Sequence, residues 1–213
     1  MARRTTYPAS MSAAIAAFVC VILMGFVFRS ADPDLSLQPS YPVGAAADFV
    51  RAVNEHADEM LRLFAADSLF VLSYLIVFAG MYATVVHRSH ALAVLGMGAG
   101  ALTALLDAAE NAYFISYAQA ALSGDALREP ALTAIYVIAN LKWMAAFAAL
   151  GAFGLAWPRS DRLDRVLSAL MLLFVLVGVL GVALPGLFAV RGLLFLIGMP
   201  LFAWHFRRQM HTV

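Results

Sequence analysis

The chain has 213 residues, of which 63% are hydrophobic and 13% charged, and its formal net charge is +1. Soluble domains are about half apolar and about a quarter charged, and a fold of this size in water cannot bury so much apolar surface. The composition therefore excludes a soluble globular protein and indicates one whose outer faces contact lipid. Nucleic acid is excluded as a partner as well, because the sequence has no dense basic stripe.

Six segments are predicted to cross a bilayer as helices. The hydrocarbon core requires about 20 apolar residues in helical form. The six predicted spans are, in chain order, residues 11–28, 65–86, 91–117, 131–157, 166–184 and 187–206. The first is interpreted as a helix, since its apolar run exceeds the roughly 7–15 residues of a secretory signal. The sequence thus predicts an all-α polytopic membrane helix bundle, with residues 1–213 forming a single transmembrane domain.

Arginine is distributed unequally between the two ends of this predicted bundle. With six alternating spans, one end holds Arg3, Arg4, Arg88, Arg159, Arg162, Arg165, Arg207 and Arg208. The other end holds Arg29, Arg51, Arg62, Arg128 and Arg191, diluted by Asp32, Asp34, Asp48, Glu55, Asp58, Glu59, Asp125 and Glu129. Cytoplasmic loops carry an excess of Lys and Arg. The sequence therefore predicts a multi-pass inner-membrane protein with both termini in the cytoplasm.

One connection, residues 29–64, is long enough to hold structure of its own on the outer side. Its first half contains three prolines and is predicted to be irregular. Its second half places Phe49, Val53, Met60 and Phe64 at roughly helical spacing, with acids between them. This pattern predicts an amphipathic helix that lies on the outer interface or caps the bundle and continues into the second span.

Charged residues occur in the middle of the third span, where placing a charge has a high free-energy cost. At about 100° per residue, Thr103, Asp107, Glu110 and Asn111 fall within an arc of about 100° on one face of that helix. A charge at such depth costs at least ~2.5 kcal/mol. This polar face is therefore predicted to contact protein or water, not lipid.

The fourth span supplies the counter-charge, Lys142, the only lysine of the chain. The short connection predicts antiparallel packing of the third and fourth spans, which brings Lys142 to the depth of Asp107 and Glu110. A salt bridge from Lys142 to one of these acids is predicted. Asn140 lies about 200° from Lys142 around the helix, so both cannot point straight into one pocket, and the lysine stem would have to wrap.

The second span adds Asp67 near its outer end, and Tyr74, seven residues later, shares its face. The predicted pocket therefore lies in the outer half of the bundle. Its binding residues are Asp67, Asp107, Glu110, Asn111, Asn140 and Lys142, with Tyr74, Tyr136 and Trp143 in support.

Three stretches resemble uncharacterised bacterial six-helix membrane proteins. The stretch LRLFAADSLFVLSYLIVFAGMYATV, with Asp67, Tyr74 and Tyr82, is similar to their outer amphipathic segment and the helix it enters. The stretches LLDAAENAYF and NLKW are similar to further patterns of these proteins. The resemblance covers about half of the chain. It implies a six-helix topology and no activity.

The preferred hypothesis is a small membrane protein whose pocket binds a proton, a cation or an amphiphilic, lipid-like molecule. Asp107 and Glu110 would be acceptors, Lys142 the internal counter-charge, and Asn111 and Asn140 orienting amides. An enzyme acting on a lipid or quinone fits the same pocket, with Glu110 or Asp107 as general acid or base.

The alternative is an accessory or assembly subunit of a larger membrane complex, or a homo-oligomer, in which the charges only fix internal packing. Small residues support close helix packing, and Gly96 and Gly100 have the small-xxx-small spacing. No metal site is predicted, because neighbouring histidines such as His87 and His90 lack a third ligand. The sequence points to no particular cofactor.

Overall fold

The computed structural model describes residues 2–30, 46–125 and 132–211, and these parts of the chain are all-α. The helices are α1 (Ala2–Ser30), α2 (Ala46–Glu55), α3 (Ala57–Val85), α4 (His90–Leu122), α5 (Leu132–Ala156), α6 (Arg162–Ala183) and α7 (Phe188–Met210). A short 3-10 helix, Pro185–Leu187, precedes α7. The predicted fold class, all-α, is confirmed.

Five of the described helices are long and apolar enough to cross a membrane: Thr5–Val27, Ala57–Val85, His90–Leu122, Ala134–Ala156 and Arg162–Ala183. Large apolar side chains on their outer faces lack protein cover; Phe26, Leu105 and Met144 are each 67% exposed. Such faces require lipid as solvent. The chain is a multi-pass membrane protein. Helix α7 corresponds to the sixth predicted span but is not among these five, so the count of six spans stays a prediction.

Helices α1, α3, α4, α5, α6 and α7 form a closed ring. Each packs against its neighbour in chain order, and α7 returns to pack against α1. At one end of the ring, Tyr7 of α1 stacks on Phe206 of α7 with ring centroids 6.2 Å apart. At the opposite end, Phe64 of α3 stacks on Phe114 of α4 at 4.4 Å. Successive ring helices are therefore antiparallel, and the first and last described residues lie at the same end.

We call the end that contains Tyr7 and Phe206 the terminal end, and the end that contains Phe64 and Phe114 the loop end. Helix α2 packs at the loop end, against α3 and α4. There Val53 and Met60 are fully buried in an apolar cluster with Phe114. The segment predicted to be one amphipathic helix forms α2 and the start of α3, because the backbone at His56 is not helical and separates the two.

The amphipathic character of the segment that forms α2 and the start of α3, and its placement on a membrane interface, stay predictions. Residues 31–45, predicted to be irregular, lie outside the described residues.

Two caps fix the helix starts at the terminal end. The Ser89 hydroxyl accepts the N–H of Leu92 at 3.4 Å at the start of α4. A carboxylate oxygen of Asp161 accepts the N–H of Asp164 at 2.9 Å at the start of α6. These side chains satisfy backbone donors that have no partner within the first turn of a helix. Asp161 also binds Arg208 at 2.6 Å, which ties the start of α6 to the end of α7.

Glycines of α4 make room for aromatic rings of both neighbouring helices. A Cβ at Gly96 would lie 2.8 Å from the Phe153 ring of α5, and a Cβ at Gly100 would lie 2.6 Å from the Phe78 ring of α3. The predicted Gly96–Gly100 pair is thus a packing feature. Its partners are ring side chains on two helices and not one closely approaching backbone.

Candidate functional site

The ring encloses a cavity of about 510 Å³, and every ring helix contributes to its wall. Its polar wall residues are Asp67, Tyr74, Thr103, Asp107, Glu110, Asn111, Lys142, Trp143 and Arg191. Its apolar wall residues include Val77, Phe78, Met81, Leu150, Met171, Phe174, Met199 and Phe202. Most of the predicted pocket residues therefore meet at one internal space.

Lys142 lies between two carboxylates. Its Nζ is 2.8 Å from Oδ1 of Asp107, and it also forms a salt bridge with Oε2 of Glu110. The three side chains are 13%, 9% and 6% exposed, so the cluster is largely withdrawn from solvent. The antiparallel packing of α4 and α5 brings these groups to one depth, as the sequence predicted. The predicted salt bridge is confirmed, and it includes both acids.

The second oxygen of Asp107 is also occupied. The hydroxyl of Tyr74 on α3 donates to Oδ2 of Asp107 at 2.9 Å. Asp107 thus accepts a hydrogen bond from α3 and a charge-assisted one from α5, while it belongs to α4. Charge-assisted bonds are roughly twice as strong as neutral ones. This carboxylate joins three neighbouring helices of the ring.

Asp67 and Asn111 form the loop-end side of the polar wall. The Asn111 amide donates to the Ser68 hydroxyl at 3.4 Å, and that hydroxyl donates to the Phe64 carbonyl at 2.7 Å. Asp67 is half-buried; the Asn111 amide interacts with it, and Asp107, Lys142 and Glu110 lie close enough to act on its charge. Within the described residues Asp67 makes no salt bridge, so it presents an acceptor to the cavity.

Arg191 is a wall residue that the sequence analysis noted but did not place in the pocket. It is 4% exposed, and its guanidinium carbon lies 4.0 Å from the centre of the Trp143 ring. A cation over an indole face is attracted by the ring quadrupole. The sequence feature that could have identified Arg191 is its position at the start of an apolar segment, because an ionisable residue in a membrane segment is a candidate for a functional site.

Asn140 and Tyr136 lie elsewhere on α5. Asn140 is exposed on the outer side of the helix, and its amide donates to the Tyr136 carbonyl at 2.9 Å. Tyr136 is half-buried one turn earlier. The angular separation of Asn140 from Lys142 explains this result, because Lys142 is the residue that faces the cavity. The position of Asn140 does not support its predicted role as an orienting amide in the pocket.

The cavity is polar towards the loop end and apolar towards the terminal end. Lys142 is ten residues from the start of α5, and Arg191 three residues from the start of α7, both counted from the loop end. Met81 is only four residues from the terminal end of α3, and Leu150 six residues from that of α5. At 1.5 Å per residue, the polar residues lie in the loop-end part of the wall, together with apolar residues such as Phe64 and Phe114, and the terminal-end part is apolar.

A second buried polar cluster, which the sequence analysis missed, lies at the terminal end. His205 and Asp164 are 2% and 5% exposed, and Nδ1 of His205 is 3.1 Å from Oδ1 of Asp164. The Ser160 hydroxyl donates to the other Asp164 oxygen at 2.5 Å. Polar contacts of this kind hold membrane helices together. This cluster joins α6 to α7 and lies outside the cavity wall.

Within the described ranges, no group of three or more His, Cys, Asp and Glu side chains is arranged to hold a metal ion. Comparison of the chain with models of protein families, with curated proteins and with solved structures finds no match. The resemblance to bacterial six-helix membrane proteins therefore stays a prediction.

Proposed function

We propose that this chain binds an amphiphilic, lipid-like small molecule in the cavity of the helix ring. The head group would lie against Asp67, Glu110 and Lys142, and the tail among Met81, Leu150 and their apolar neighbours. The observation that carries the proposal is that a buried charge cluster and an apolar compartment line one and the same cavity. A volume of about 510 Å³ is within the usual range for small-molecule sites.

Because the cavity wall has a polar part and an apolar part, it favours a ligand that also has a polar end and an apolar end. A wholly polar ligand would bury its polar groups against apolar side chains without hydrogen bonds, which is costly. A wholly apolar ligand would leave the Asp67 carboxyl without a charged partner and the second oxygen of Glu110 without a hydrogen bond. A molecule with one polar end and one apolar end satisfies both parts of the wall.

The existing contacts favour an amphiphile over a metal cation. The ammonium group of Lys142 already occupies the position between Asp107 and Glu110. A metal ion would have to displace it. Asp67 is the acid that faces the cavity without a salt bridge among the described residues, and it would accept hydrogen bonds. We therefore propose a head group that donates hydrogen bonds, such as an amine or an alcohol.

The test uses Trp143, which lies in the cavity wall. In a Trp157→Phe/Trp204→Phe variant, Trp143 is the only remaining tryptophan of the chain. This protein is placed in lipid nanodiscs and titrated with dodecylamine, dodecanol and dodecanoic acid, each brominated at the end of its chain. We expect saturable quenching of Trp143 by the amine or the alcohol, and weaker quenching by the acid, which three nearby carboxylates repel.

The matched control separates binding in the cavity from partition into lipid. The same titration is repeated with Asp67→Asn, which keeps the shape of the side chain and removes its charge. Weaker binding of the amine to this variant would support the proposal. Linear, unsaturable quenching by all three compounds in both proteins would contradict it, and the buried charges would then be structural, as in an accessory subunit.

We also propose the orientation that the arginines predict, with the terminal end in the cytoplasm and α7 as a sixth span. Arg207 and Arg208 lie in the last turn of α7 and support this assignment. Reporter fusions after Met210 and in the connection between α6 and α7 test it. A reporter that is active in the cytoplasm at both positions would show that α7 does not cross the membrane.

A further inference from the structure

Two of the described cavity-wall residues are exposed on the outside of the ring, Gly25 and Gly192. Gly25 lies on α1 and Gly192 on α7, and these helices are neighbours in the ring. Gly25 is five residues before the end of α1, and Gly192 is four residues after the start of α7. Both therefore lie about 6–8 Å from the loop end of their helices.

Neither glycine is needed for close helix packing. A Cβ added at Gly25 or Gly192 would have no heavy atom of another described residue within 4 Å. By contrast, a Cβ at Gly80 of α3 would lie 2.5 Å from the Ser10 hydroxyl of α1. Glycine inside a helix is destabilising relative to alanine. At Gly25 and Gly192 the missing side chain leaves open space instead of admitting a neighbour.

The surroundings of this open space are apolar. Next to Gly25 along α1, Phe26 is 67% exposed; next to Gly192 along α7, Leu193 is 55% exposed. Large apolar side chains on the outside of a membrane helix contact lipid chains. We call the open space at Gly25 and Gly192 the gap; the exposed side chains beside it are apolar, as expected for a surface in contact with lipid.

We infer that the gap between Gly25 and Gly192 is a lateral entrance through which a ligand dissolved in the bilayer reaches the cavity. The inference rests on the proposed function and narrows the ligand to a membrane-dissolved amphiphile. Arg191 precedes Gly192 and is a wall residue, so it lies where a polar head group would pass inward. The apolar walls deeper in the ring would then receive the tail.

The first test measures ligand exchange inside the membrane. A dodecylamine fluorinated at its chain end gives separate fluorine NMR resonances for the bilayer-dissolved and the protein-bound molecule in nanodiscs. In the Gly25→Leu/Gly192→Leu variant we expect both entry and exit to slow about tenfold, within the range by which mutations change association rates. Both rates should fall together, because an obstructed entrance slows passage in both directions, whereas lost cavity space would speed exit.

The matched control is Gly98→Leu on α4. Gly98 is also exposed, and a Cβ there has no described atom within 4 Å, but the residue is not among those that line the cavity. This variant should exchange ligand at the unaltered rate. Unchanged exchange in the double variant would overturn the entrance and leave the proposed function standing. Absence of a bound resonance in the unsubstituted protein would refute the proposed function itself.

A second test needs no bound ligand. With Cys20→Ala removing the only native thiol, a bimane fluorophore is attached to Gly192→Cys. We expect quenching by spin-labelled lipids and none by iodide in the water. Quenching by iodide alone would overturn the inference, because the gap would then open to the aqueous phase.

Discussion

The Tyr74 hydroxyl donates a 2.9 Å hydrogen bond to the Asp107 oxygen that Lys142 does not bind. Asp107 therefore has a donor on each oxygen, one from α3 and one from α5. A buried carboxylate whose two oxygens both accept hydrogen bonds from the protein holds its neighbours in place and is less available to a ligand. Among the acids of the cavity wall, the groups left to contact a ligand are Asp67 and the second oxygen of Glu110.

Replacement of Tyr74 by phenylalanine should destabilise the protein measurably. The variant removes one donor from a buried charged acceptor, and such losses cost about 1–3 kcal/mol. Equilibrium unfolding in mixed micelles measures the change. Tyr82→Phe is the control, because Tyr82 lies on the same helix as Tyr74 and packs, partly buried, against the apolar core of the bundle. Equal effects of the two substitutions would show that the Tyr74–Asp107 bond contributes nothing.

Replacement of Lys142 by methionine should be more damaging. It leaves Asp107 and Glu110 buried without their cation, and removal of one partner from a buried ion pair costs about 3–5 kcal/mol. Adding Asp107→Asn and Glu110→Gln should restore most of the lost stability, because no uncompensated charge then remains. The free energy of unfolding of the single and triple variants checks this. A triple variant no more stable than Lys142→Met would contradict the account.

A methyl group at Gly100 should be harmful, and one at Gly98 tolerated. At Gly100 the new Cβ would lie 2.6 Å from the Phe78 ring, which must move, and such overpacking costs about 1–3 kcal/mol. At Gly98 the Cβ meets open space, so alanine should stabilise the helix by about 0.5–1 kcal/mol. Thermal unfolding of the two variants gives the comparison. Equal melting temperatures of the two variants would contradict this account and show that Phe78 turns aside without cost.

Filling the cavity should weaken ligand binding without unfolding the protein. Ala146 lines the cavity, whereas Ala148, two residues later, is exposed on the outside of α5. Ala146→Leu is expected to weaken quenching of Trp143 by brominated dodecylamine at least about tenfold, since the added atoms occupy the space for the ligand. Ala148→Leu should bind as the unsubstituted protein does. Equal affinities of the two variants would place the ligand elsewhere.

Acid should weaken the junction of α6 and α7 through Asp161. The N–H of Asp164 and the nearby guanidinium of Arg208 hold the pKa of the Asp161 carboxyl below its usual value. A depressed pKa adds stability at neutral pH, and this contribution is lost as the pH falls through the folded-state pKa. The difference in melting temperature between the native protein and Asp161→Asn should therefore shrink below pH ~4. A constant difference at all pH values would contradict this reading.

The sequence was sufficient to predict the apolar helices, the meeting of Asp107, Glu110 and Lys142, and the shared face of Asp67 and Tyr74. Those follow from helical periodicity and from the cost of unpaired charge in lipid. The closure of the ring by α7 on α1 could not be predicted, because it depends on contacts between distant segments. For the same reason Arg191 over Trp143 and Asp164 beside His205 were not identified as pairs. Asn140 was predicted to lie in the pocket but does not, since its amide donates to the backbone carbonyl of Tyr136 on the same helix.

The order in which the ring is made follows from its closure between α1 and α7. Because translation proceeds from the N-terminus, α1 is synthesised before α7, and the ring can close only after α7 has been made. Lys142 arrives 32 residues after Glu110, so the acids of α4 gain their cation as soon as α5 is inserted. Until α7 docks on α1, the cavity lacks the wall that Arg191, Met199 and Phe202 provide.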